Sequence, residues 1–143
     1  MLMALLLLSN FCIGQASAGE QKRQVDLWTS NYDEAGKYFD QGELQKAETI
    51  YLKSLKTLDH SQLAKSFLKL GEIYQRTKRP SDAEYCYKKS LNFQGTIEGY
   101  GKYADFLRER NRVVEAKKMD LAKEAAARQK TVIFPPDIKD SQK

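Results

Sequence analysis

AKSFLKLGEIYQRTKRPSDAEYCYKKSL, residues 64–91, is the stretch whose reading decides the fold. Phe67, Leu70, Gly71 and Tyr74 recur at i, i+3, i+4 and i+7, which is one face of a helix with 3.6 residues per turn. Ala83, Tyr87, Ser90 and Leu91 recur at i, i+4, i+7 and i+8 and form a second such face. Between them Pro80 is expected to stop the first helix, and Ser81 to cap the second with Glu84 closing a capping box. Gly71 and Ala83 stand where two antiparallel helices come closest, because a larger side chain would hold the axes apart. The unit is an αα-hairpin.

The hairpin recurs. Tyr38, Ala47, Tyr51, Ser54 and Leu55 precede Tyr74, Ala83, Tyr87, Ser90 and Leu91 by 36 positions, residue for residue, and Ala35 answers to Gly71. Ala104, Leu107 and Ala116 follow Gly71, Tyr74 and Ala83 by 33 positions as a third copy. That copy is degenerate, with Asp120 and Lys123 where an aromatic and a small residue are expected. A helix-pair unit of this length, repeated, is the pattern of a solenoid, and the order Gly/Ala, Tyr, Ala, aromatic, small, Leu resembles the tetratricopeptide repeat. The resemblance covers residues 28–130, although the Pro that usually closes each repeat is missing. It implies an all-α fold, a solenoid of three helix-turn-helix repeats over 28–61, 64–96 and 97–130. The degenerate third copy suits an end position, where no further repeat covers the outer face.

The first 18 residues differ from the rest. MLMALLLLSNFCIGQASA carries no charged side chain, opens on an apolar run and closes on Ala16-Ser17-Ala18. Small residues at −3 and −1 after an apolar core are the pattern of a signal peptide cut after Ala18, although no Lys or Arg precedes the run. A buried N-terminal helix and a retained membrane anchor are the other readings. Ser9, Asn10, Gln15 and Ser17 interrupt the run well short of the roughly 20 apolar residues a span requires. Residues 19–27 are polar and are expected to fray. Cutting after Ala18 removes Cys12 and leaves Cys86 alone, either a free thiol open to dimerisation or a small packing residue.

Along the repeats, Leu27, Tyr32, Ala35, Tyr38 and Phe39 form the first apolar set, and Gly42 is expected at positive φ as a C-cap. The second helix is expected from Glu43 to Leu58, with Leu55 and Leu58 on its inner face. Tyr100, Tyr103, Ala104 and Leu107 point inward from the fifth helix. Asn111 with Glu115 is expected to cap the sixth, whose inner stripe begins at Val113. Pro135-Pro136 makes residues 131–143 an extended tail, with Val132, Ile133 and Phe134 packed back or free for a partner.

Chemistry narrows by elimination. His60 is the only histidine, no Gly-rich phosphate loop is present, and thiolate and imidazole ligands are too few for a zinc site. No catalytic residue, cofactor or metal site is therefore assigned, and the chain is read as a non-enzyme. The net charge is +5, but Lys and Arg alternate with Asp and Glu except at Arg76, Lys78, Arg79, Lys88 and Lys89 around the middle turn. A nucleic-acid binder concentrates its charge on one face, so nucleic acid is not expected as a partner. The basic cluster is either a solvated turn or a contact for anionic lipid or an acidic partner.

Protein remains. The family resemblance implies a concave groove lined by the first helix of each repeat, which receives a peptide or helix. Carried over by position, that groove takes Tyr32, Phe39, Lys65, Glu72, Arg76, Asp105 and Arg108. The Lys/Asn clamp that one subfamily uses for a C-terminal carboxylate is lacking. Tyr32 and Gly36 take its first two positions, Lys69 and Glu98 replace an Asn and a Lys, and only Lys102 keeps its charge. The expectation is an exported scaffold that binds a protein or peptide, secreted or periplasmic. The alternative is a membrane-associated structural subunit, held by an uncleaved N-terminal segment and self-assembling through its solenoid ends.

Overall fold

The computed structural model describes residues 18–132, with side chains to residue 129. They form α1 (Ala18–Asp40), α2 (Leu44–Ser54), α3 (His60–Arg76), α4 (Pro80–Phe93), α5 (Ile97–Glu109) and α6 (Val113–Val132). α1 packs with α2, α3 with α4 and α5 with α6, and the pairs stack in order through α2 on α3 and α4 on α5. The all-α solenoid of three helix pairs is the fold. The proposed leader, Ala18 excepted, and the tail beyond Val132 lie outside the described residues.

The small residues do what their spacing demands. Ala35, Ala47, Ala83 and Ala104 are fully buried, so paired helices approach closely over them. Tyr51 and Tyr87 fill the space beside each close approach, both 1% exposed. At Gly71 an added Cβ would stand 2.9 Å from the Tyr87 ring, so this close approach has no room for a methyl group. Polar positions inside are satisfied. Ser90 Oγ donates to the Ala64 carbonyl at 2.8 Å. The hydroxyls of Ser54 and Ser66 are bonded at 2.7 Å, and Trp28 Nε1 donates to Ser66 Oγ at 3.0 Å.

All three hairpins turn by the same device. Gly42, Lys78 and Asn111 have φ of 79°, 62° and 58°. The next N–H in each case, Glu43, Arg79 and Arg112, reaches back to the carbonyls of Tyr38, Tyr74 and Leu107 at 2.9, 2.8 and 2.9 Å. This is the Schellman closure, which satisfies carbonyls orphaned at a helix end. Gly42 thus sits at positive φ as expected. Two other expectations change for this reason. Asn111 closes α5 instead of capping α6, while Glu115 pairs with Arg112 at 2.6 Å. Ser81 is not the cap of α4: Arg79 holds that position and Pro80 opens the helix, where its fixed φ fits and its missing N–H costs nothing.

Other boundaries move as well. Residues 19–27 are helical, because no breaker separates them from the packed part of α1 and extending a formed helix is easy. Thr131 and Val132 likewise belong to α6. α2 ends at Ser54, and beyond it Thr57 bonds Gln62 while Asp59 caps α3 by accepting from Gln62 N at 2.8 Å. These local bonds break the helical period, so Leu58 points outward at 84% exposure while Thr57 is buried. Leu27 and Val113 are also mainly exposed, Leu27 on α1, which among the described residues has no helix before it, and Val113 at the opening of α6. Cys86 is 3% exposed, a packing residue.

Candidate functional site

The α3 backbone comes within 8 Å, Cα to Cα, of both α1 and α5, whereas among the described residues that of α4 comes so close to neither α2 nor α6. The first helices therefore lie closer together than the second, and the stack curves with α1, α3 and α5 on its inner face. Three of the groove residues drawn from the sequence, Glu72, Arg76 and Asp105, line one cleft of about 440 Å³ between α3 and α5. Gln75, Lys102 and Glu109 share it.

Glu72 is the centre of this face. It is 8% exposed, and its two oxygens take Lys69 Nζ at 3.1 Å and Lys102 Nζ at 2.9 Å. Burial alone would raise its pKa, but the two ammonium groups outweigh it and hold the carboxyl below the usual range. Gln75 bridges the cleft, donating to Glu109 Oε2 at 2.7 Å and accepting from Tyr87 Oη at 2.7 Å. Asp105 pairs with Arg108 at 2.6 Å. Arg108 also binds Asp120, so it turns toward α6 and sits on the rim.

The α1 side is aromatic. Tyr32 stacks on Trp28 at 4.8 Å and meets the edge of Tyr51 at 5.3 Å. Burial, with Glu98, Glu72 and Asp33 nearby, pushes the Tyr32 phenol up to about 12. Lys65 Nζ lies 5.9 Å from the Trp28 ring centre. Phe39 is 7% exposed and serves as floor, covered by the Arg76 guanidinium at 4.2 Å and by Lys69 Nζ at 5.3 Å. Tyr32 and Lys65 thus gather around Trp28 at one end of the face, while Arg76 and Asp105 line the cleft that Glu72 centres.

Lys102 and Glu109 were not chosen as site residues from the sequence. The signal was the 33-residue register: Lys102 repeats Lys69, Asp105 repeats Glu72 and Glu109 repeats Arg76. Lys69 and Lys102 converge on one carboxylate because α3 and α5 are neighbours. The basic cluster expected at the middle turn does not form one patch. Arg79 is bound by Glu48 and Asp82, both at 2.8 Å, while Lys88 lies further along α4 and pairs with Glu84 at 2.7 Å. Lys89, one residue on, lies 5.5 Å from the Tyr85 ring centre.

Among the described residues no group of His, Cys, Asp and Glu gathers to hold a metal ion. No described helix is long and apolar enough to cross a membrane. Comparison with family models matches residues 30–94 to the tetratricopeptide repeat, the first two hairpins without the start of α1. No curated protein and no solved structure matches the chain.

Proposed function

The chain is a tetratricopeptide repeat protein over residues 30–94, and from that premise we propose that it holds a peptide or helix of another protein against the inner face of α1, α3 and α5. Repeats of this family are as a rule non-catalytic protein-interaction modules. The observation that carries the reading is the convergence of three successive first helices on one face, with an ion-paired centre at Glu72 and an aromatic end at Trp28 and Tyr32. Aromatic and cationic side chains held by neighbours present recognition groups at low entropic cost.

Export belongs to the same proposal. Residues 1–18 have the composition of a cleaved leader, and among the described residues a cut after Ala18 removes Ala18 alone, the exposed first residue of α1. The mature module then works in the periplasm or outside the cell.

The test places a photo-crosslinking residue at Lys65 or Asp105 in the groove, or at exposed Tyr85 on α4, in the full chain in its native cells. The expected result is one dominant partner protein from both groove positions and none from Tyr85. Capture from Tyr85 alone, or of further copies of this chain only, overturns the groove. The intact mass of the same preparation tests export. Loss of residues 1–18 is expected, and their retention in the membrane fraction replaces it with the anchored alternative.

A further inference from the structure

Resting on that groove, the inference concerns the chemistry of its ligand. Most charges of the α3–α5 cleft are already used: Glu72 binds Lys69 and Lys102, and Asp105 binds Arg108. Arg76 and Glu109 differ. They occupy the same position in successive repeats with opposite charge, they line the same cleft, and both are exposed. Among the described residues neither has an oppositely charged group within 4.0 Å, including the other. Arg76 lies over Phe39, with its Cζ 4.2 Å from the ring centre, a contact that orders the guanidinium while its N–H groups meet no carboxylate among the described residues. Among the described residues Glu109 is steadied by the neutral amide of Gln75 and by no cation. Lys78 adds further positive charge to the α3 wall.

A cleft whose central charges are satisfied internally, and whose two walls each offer one ordered, unpaired charge of opposite sign, is complementary to a ligand carrying both. We infer that the cleft receives a peptide of mixed charge, in which an Asp or Glu side chain forks onto Arg76 and a Lys or Arg side chain meets Glu109. A planar guanidinium takes a carboxylate through two parallel hydrogen bonds, so the acidic contact carries the orientation. The carboxylate is a side chain's and not a chain terminus: the one cation this chain keeps from the terminal-carboxylate clamp, Lys102, is bound by Glu72.

The experiment selects randomised peptides, displayed without a free C-terminus, on the full chain. Binders are synthesised and their affinities measured by fluorescence anisotropy. The expected consensus has an acidic and a basic residue at constant spacing. R76E weakens binding about tenfold or more, the scale of one charge-assisted contact, while far-UV helicity is retained. Changing the peptide's acidic residue to Lys restores binding to R76E, and E109K behaves reciprocally with the basic residue. Amidating the peptide's C-terminus leaves affinity unchanged. Groove binders with no acidic residue, an R76E variant that binds normally, failure of the charge swap to restore affinity, or dependence on a free C-terminus overturns the inference and leaves the groove standing. Failure to select any peptide that groove variants lose overturns both.

Discussion

Glu72 Oε2 accepts from Lys102 Nζ at 2.9 Å across α3 and α5, thirty residues apart in the chain, while Glu72 Oε1 takes Lys69. One carboxylate thus ties two repeats together at the floor of the groove. Its depressed pKa is also a statement about stability, since the charged form is favoured in the fold.

Replacing Glu72 by Gln is expected to lower stability by about 1–3 kcal/mol, because Lys69 and Lys102 lose their shared counter-charge. In the native chain the contribution of this group is complete above the unfolded-state pKa of about 4.3 and is lost as pH falls through the lower native value. Urea unfolding across the acidic range checks both: the Glu72→Gln variant should be less stable near neutrality and should lose less on acidification.

Gly71 and Gly36 make an opposed pair. A Cβ at Gly71 meets the Tyr87 ring at 2.9 Å, whereas at Gly36 its nearest neighbour is Tyr51 Oη at 3.7 Å. Gly71→Ala should destabilise by about 1–3 kcal/mol through forced repacking. Gly36→Ala should stabilise by up to about 1 kcal/mol through helix propensity. Thermal melts of the two variants should shift in opposite directions.

The left-handed residues predict a gain. Lys78 and Asn111 hold φ of 62° and 58° with a Cβ present, while Gly42 meets the same demand without one. Lys78→Gly should raise stability by about 1 kcal/mol and Asn111→Gly by less, because Asn tolerates this region better than Lys. Gly42→Ala should cost about 1 kcal/mol. Denaturant midpoints for the three would order them.

Burial, aided by the Asp82 and Glu48 carboxylates, pushes the Cys86 thiol up to about 12. The thiol is therefore protonated and covered, and thiolate is the reactive form. Alkylation by iodoacetamide in mildly alkaline buffer should spare Cys86 in the native chain and reach it in urea, as read by peptide mass mapping. Rapid native labelling would show that α4 opens.

The repeat unit was legible because it is written in side-chain size. Ala and Gly at the close approach, Tyr beside it and Ser-Leu after it recur at 36 residues, while at 33 the small residues persist as Ala104 and Ala116 without the Tyr and Ser-Leu, and helix packing reads size directly. The turns were half legible: glycine at 42 declared its positive φ, but Lys78 and Asn111 adopt the same conformation because the hairpin geometry imposes it against their own preference. The groove was legible only in outline. Residue type and register place Glu72, Arg76 and Asp105 on first helices, yet whether a charge is spent or offered depends on which side chain lies across the gap. The stacking of α1, α3 and α5 decides that. It consumes Glu72 on two lysines, turns Arg108 toward Asp120, lays Arg76 on Phe39 and leaves Glu109 opposite with only an amide. Local spacing determines which residues share a helix face, because that is a property of one segment. Pairing between segments is a property of the packed whole, and tertiary structure alone assigns it.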